Sequence, residues 1–159
     1  MESRAKFLGH PVHQMLIPIP AGLFIVAAVL DIVHVFVELP WIPTVTFWNL
    51  VIGIGAALVA ALFGMLDWTK IPAGTRAKRV GALHALGNVA ALILFTVAVI
   101  LRRGEQPSGG VIPLLLEVVA LVVLGFTAWL GGELVDRLGV GVDDGAHLNA
   151  PSSLLGKRL

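Results

Sequence analysis

The sequence has no cysteine and no tyrosine, and charged residues make up only 13% of its 159 positions. Without cysteine, neither a disulfide nor a thiolate metal site can form. Without tyrosine, an aromatic belt at a membrane surface falls to Trp41, Trp48, Trp68, Trp129 and the phenylalanines. A formal net charge of +1 leaves no electrostatic footprint for nucleic acid. Enzyme signatures are missing too: there is no serine nucleophile motif, no phosphate-binding glycine loop and no zincin motif. The GIG at Gly53 lies in the middle of an apolar run, where it serves helix packing. The first residues, MESRAKFLGHPVHQ, are polar and offer no small-residue cleavage site, so no cleaved signal peptide is expected.

What remains is apolar. Hydrophobic residues make up 57% of the chain, whereas soluble domains are about a quarter charged and need a polar outer shell. Four apolar runs, at about 15–37, 46–66, 82–101 and 111–130, are each long enough to cross a hydrocarbon core of roughly 30 Å. A soluble four-helix bundle would keep a polar face on each helix. The stretch from Val51 to Leu66 has none on any face. The expected fold is therefore an all-α, single-domain bundle of four transmembrane helices, residues 1–159, with Pro18 and Pro20 kinking or delaying the first helix.

Orientation follows from Lys and Arg. The side carrying the N-terminal segment, side A, holds Arg4, Lys6, Lys70, Arg76, Lys78, Arg79, Arg137, Lys157 and Arg158, and side B holds only Arg102 and Arg103. That bias puts side A, and both termini, in the cytoplasm of a bacterial inner-membrane protein. Residues 131–159 read as a polar tail on that surface, with Gly131 and Gly132 as candidate breakers of the fourth helix. Gly53, Ala57 and Ala61 give the second span a small-residue face for close packing.

Ionisable residues inside a span are functional candidates by default. Topology gathers His10, His13, Asp67, His84 and Asn88 near side A. Histidines on separate helices at one depth suit a bis-imidazole haem or a transition metal held by His10, His13, Asp67 and His84. The alternative is a set of interfacial histidines that cap helix ends. Near side B stand Asp31, His34 and Glu117, with Asp31 and Glu117 roughly 10 Å below the surface at 1.5 Å per residue. They offer a proton or cation site, or a carboxyl paired with His34 that orders the bundle. His13 and His84, with Asp67 and Glu133, further suggest two related halves about an axis along the membrane normal, with the two histidines facing across it.

GHPVHQMLIPIPAGL, then Asp31, GMLDW at Gly64 to Trp68, His84 with Asn88, and GGELVDRLGVGV together resemble the bacterial membrane family designated domain of unknown function 2231. The resemblance runs from Gly9 to about Ser153 and is most specific at the HPxH opening. It implies a four-span membrane protein with no settled activity. Family members joined to cytochrome-type modules add weight to the haem reading.

Three functions are in play. The first is a redox-associated subunit binding haem b at His13 and His84, with His10 as a substitute ligand and Gly9, Gly81 and Gly87 making room. The second is a cofactor-free accessory subunit of a larger membrane complex. The third is a small proton-coupled transporter or channel, which would need a homo-oligomer.

Overall fold

The computed structural model describes residues 1–103 and 109–155. A short antiparallel hairpin, β1 (Lys6–Phe7) and β2 (His10–Pro11), precedes the helices. Its turn passes through Leu8 and Gly9, both at positive φ, and at +87° Gly9 supplies a conformation that favours glycine. Then come α1 (Val12–Leu16), α2 (Pro18–Phe36), α3 (Ile42–Lys70), α4 (Arg76–Leu101) and α5 (Val111–Gly132). Four stretches are long and apolar enough to cross a membrane: Val12–Phe36, Ile42–Lys70, Arg76–Leu101 and Val111–Arg137. The protein is a multi-pass, all-α membrane protein.

The ends of these helices are written locally. Prolines open α2 and α3 in the first turn, where a missing N–H costs nothing. Thr75 caps α4 by accepting from the Lys78 amide at 3.1 Å. The spans reach further toward side A than hydropathy alone suggests, because Lys70, Arg76 and Arg137 sit on helical turns beyond the apolar runs. Gly131 and Gly132 do not break the fourth helix. It runs through them into a π-helical turn, Glu133–Arg137, and stops at Gly139, whose φ is +63°.

The helices close a ring: α2 packs on α3, α3 on α4, α4 on α5, and α5 back on α2. The first and third spans stand diagonally and meet through side chains. Phe24 and Phe95 stack across the centre with ring centroids 4.0 Å apart. They anchor a core with Ala27, Leu50, Ala91, Val99 and Ala120. Large apolar side chains such as Val29, Leu58, Leu62, Leu86, Ile93 and Val122 face outward, the surface a lipid solvent demands.

The two halves share one packing register. The buried residues of α2 are Pro20, Phe24, Ala27, Ala28 and Asp31. Adding 71 to each number gives Ala91, Phe95, Ala98, Val99 and Arg102, all buried. In α3, Thr46, Leu50, Gly53, Ala60 and Asp67 are buried. Adding 67 gives Pro113, Glu117, Ala120, Thr127 and Leu134, again all buried. Only Ile42 and Pro43, at the start of α3, fall outside, on the loop before α5. The expected repeat is therefore present in the packing, with one correction. Asp67 corresponds to Leu134, while Glu133 pairs with Arg76 at 2.6 Å.

Side A is roofed by the N-terminal segment and the C-terminal tail. Gly141 donates its amide to the Met1 carbonyl at 2.9 Å, and Lys6 bridges Glu2 at 2.8 Å and Asp143 at 3.4 Å. Both described chain ends thus lie at one end of the bundle.

Candidate functional site

His13 and His84 face each other under this roof. Their ring centroids are 6.5 Å apart and their planes nearly perpendicular, at 86°. His13 Nδ1 lies 2.7 Å from the Ala60 carbonyl oxygen, and His84 Nδ1 lies 2.8 Å from that of Thr127. A carbonyl only accepts, so in each ring Nδ1 carries a hydrogen; in the neutral ring that leaves Nε2 its lone pair. The two arrangements are equivalents in the repeat: 13 and 84 differ by 71, and 60 and 127 by 67. Each ring also lies against a glycine one turn beyond that carbonyl. A Cβ on Gly64 would stand 2.8 Å from His13 Cε1, and one on Gly131 would stand 3.3 Å from His84 Cε1.

The second half adds a polar clasp. Asn88 Nδ2 donates to His84 Nε2 at 3.1 Å and to the His84 carbonyl at 2.8 Å. Thr127 Oγ1 in turn donates to Asn88 Oδ1 at 3.1 Å.

Other expected members of this cluster stand elsewhere. His10 belongs to β2, outside the helix, so its spacing from His13 places no shared helical face. It lies 3.5 Å from Ser153 Oγ on the exposed roof. Asp67 is turned to the N-terminal segment: Ser3 Oγ sits 2.7 and 2.8 Å from its two oxygens, and the Arg4 amide donates to Oδ1 at 2.7 Å. The four-ligand metal site of His10, His13, Asp67 and His84 is therefore not assembled. Among the described residues no group of three or more His, Cys, Asp or Glu is placed to hold a metal ion. Nor do the expected glycines flank the ligands. Gly9 turns the hairpin, Gly81 packs against Trp68, and Gly87 packs against Thr127.

At side B the structure replaces the expected Asp31–His34 pair with a buried triad. The Arg102 guanidinium donates through Nη2 to both Asp31 and Glu117, and through Nη1 to Asp31 Oδ1 at 3.3 Å. Arg102 and Glu117 are fully buried and Asp31 is 4% exposed. Arg102 reads in sequence as a loop residue beside Arg103. It is drawn inside because two carboxyl groups in a desolvated bundle demand a counter-charge. His34 makes neither bond, and its Nδ1 has no partner among the described residues. It lines a cleft of about 590 Å³ with Asp31, Glu38, Pro40 and Gly109. The remainder of the expected loop, residues 104–108, lies outside the described residues, as do Lys157 and Arg158 at the other end.

Two shifted groups belong to the roof. The hydrogen bond to Glu2, then that to Asp143, raises Lys6 above the ordinary lysine value. The Gly145 amide, then Lys6, holds Asp143 below the usual carboxylate range.

Two residues of these polar clusters escaped sequence reading, Arg102 and Thr127. The 71-residue register offered a signal for Arg102, since it carries Asp31 onto it. Thr127 looked like an ordinary span residue, and nothing local marks it. No curated protein and no solved structure matches the chain. A histidine pair inside a closed four-span bundle, opened by the HPVH segment, fits the family whose description is a predicted membrane protein. Its match covers residues 9–144, and the chain belongs to that family, DUF2231.

Proposed function

We propose that this protein is a redox-associated membrane subunit in which His13 and His84 would hold one haem b. The observation that carries the reading is the facing pair of imidazoles with pinned Nδ1–H groups. The two rings come from different helices and their centroids stand 6.5 Å apart, near enough for both to reach one metal-centred group. Backbone carbonyls on Nδ1–H orient such rings and raise their basicity as ligands. Among the described residues a bare transition metal would find no more than these two ligands together. A haem brings four nitrogens of its own and needs only two from the protein.

The chain's own residues would divide the work. Ala60 and Thr127 hold the rings, Gly64 and Gly131 give them room, and Asn88 releases His84 Nε2 while keeping its contacts to the His84 carbonyl and to Thr127. The roof of residues 1–11 and 138–150 would limit the access of water to this end. A haem held there would supply one-electron transfer. The short connections suit a subunit that exchanges electrons with a larger membrane complex. In this reading side A would face the cytoplasm, with the protein in a bacterial inner membrane, as the Lys and Arg bias suggests. Arg102 is withdrawn into the bundle, which leaves Arg103 as the basic residue exposed at side B among the described residues.

The test is an absorption spectrum and metal analysis of detergent-purified protein expressed with haem supplied. A low-spin Soret band, lost in both His13→Ala and His84→Ala and kept in His10→Ala, is expected. Folded protein without a Soret band or bound metal would return the chain to the cofactor-free accessory class.

A further inference from the structure

Four buried side-chain atoms have no hydrogen-bond partner among the described residues: His34 Nδ1, Thr46 Oγ1, Arg102 Nε and Glu117 Oε2. All four lie toward side B, close to where the first and third spans end and the second and fourth begin. Buried polar atoms are nearly always satisfied in native proteins, so four at one end of the bundle point to something polar that joins them.

Charge gives the same indication. Asp31 and Arg102 are equivalents in the repeat and close a neutral pair by themselves. Glu117 is a third charge in the same dehydrated place. Its counterpart in the first half is Leu50, equally buried. Packing at that position therefore asks only for an apolar side chain of similar bulk, and the carboxyl of Glu117 is surplus to it. One oxygen reaches Arg102, and the other has no hydrogen-bond partner among the described residues. An ionised oxygen with neither solvent nor donor is the most expensive way to occupy such a site.

We propose that Asp31, Arg102 and Glu117 form a proton-binding site, which carries one proton shared between its two carboxyl groups at neutral pH and exchanges it with the side B surface through water and His34. One proton makes the cluster neutral: two carboxyl groups, one guanidinium, one added hydrogen. Access is built in. His34 is one turn beyond Asp31 on α2, and both line the cleft that opens toward Glu38, Gly109 and Gly110. Among the described residues, the ionisable groups facing the Glu117 carboxyl are Asp31 from α2 and Arg102 at the end of α4. The residues of α3 buried toward this end include Thr46 and Leu50, neither ionisable, and Glu38 lines the cleft.

Infrared spectroscopy of the full chain in lipid nanodiscs tests this without any assay of activity. At pH 7 the wild-type protein should show a carboxylic-acid C=O band, outside the amide bands, that moves to lower frequency in D2O. Because the proton is shared in a cluster with one excess carboxyl, either Glu117→Gln or Asp31→Asn should remove the band. His34→Gln should keep it and slow its deuterium exchange at least tenfold. Absence of the band in wild-type protein overturns the proposal without reference to any variant, and so would a bound small cation, which leaves both carboxylates ionised. A band that survives in both neutralised variants overturns the assignment. Unchanged exchange in His34→Gln overturns the route.

Discussion

The two ends of this bundle are built on the same repeat and have diverged to opposite degrees. At side A the halves keep matching residues: histidine at 13 and 84, a carbonyl acceptor at 60 and 127, glycine at 64 and 131. At side B matching positions hold unlike residues: Asp31 against Arg102, Leu50 against Glu117, Thr46 against Pro113. The Phe24–Phe95 stack lies between them and belongs to both. Retained likeness about an axis suits a ligand that is itself symmetric and sits on that axis. Acquired difference suits a charge arrangement with a direction. A single four-helix ring can carry both because its diagonal spans touch only through side chains, so each layer can change without moving the others.

If the ends differ in this way, the largest loss should come from side B. Arg102→Met strands two carboxyl groups without a counter-charge, and breaking a buried pair by removing one partner costs about 3–5 kcal/mol. Thermal unfolding in detergent should register that loss. Adding Asp31→Asn and Glu117→Gln to Arg102→Met should restore most of it, since a whole buried ion cluster can be replaced with little net effect. Failure of the triple variant to recover would mean that the triad's geometry, and not its charge balance, holds this end together.

At side A the halves are alike but not identical, and a methyl group can measure the difference. Gly64→Ala places its Cβ 2.8 Å from the His13 ring, so the ring must move, whereas at Gly131 the corresponding distance to His84 is 3.3 Å. Overpacking of this kind costs about 1–3 kcal/mol. We expect Gly64→Ala in that range and Gly131→Ala below it, by the same unfolding measurement. Equal losses would show that the two histidine pockets are as symmetric in tightness as they are in sequence.

The sequence made the spans legible because hydropathy is a property of a segment, and segments of 20 apolar residues have few alternatives. The pairing of His13 with His84 was legible for a related reason: topology fixes which helix ends share a surface. What sequence could not show was where a side chain at a helix end turns. Asp67 closes an apolar run and looks like a ligand, but its carboxylate is held by Ser3 and the Arg4 amide, a contact across 64 residues that no local pattern encodes. His10 shares the HPxH segment with His13 yet stands in a hairpin, because Gly9 turns the chain before the helix begins. Arg102 was misplaced by its neighbour. Next to Arg103 and a glycine-rich stretch it reads as loop, and only the register with Asp31 shows it to be interior.

The smallest effect should come from the roof, and there the contrast between the ends becomes one of salt and pH. Lys6 bridges Glu2 and Asp143 on the exposed surface. Its pKa is raised, so its contribution is complete below the unfolded value of about 10.4 and is lost as pH climbs through the folded one. Asp143 is depressed, so its contribution is present above about 3.9 and is lost as pH falls through its folded value. The roof should therefore be most closed between these limits. Hydrogen exchange of residues 1–11 and 138–150, corrected for its intrinsic pH dependence, should rise at both extremes. Exposed pairs are screened within about 10 Å at 0.1 M salt, so raising the ionic strength should loosen the same residues. The triad, whose side chains are buried, should not respond to salt. Salt-dependent exchange around Asp31 and Glu117, with none in the roof, would invert the assignment of exposed electrostatics to side A and buried electrostatics to side B.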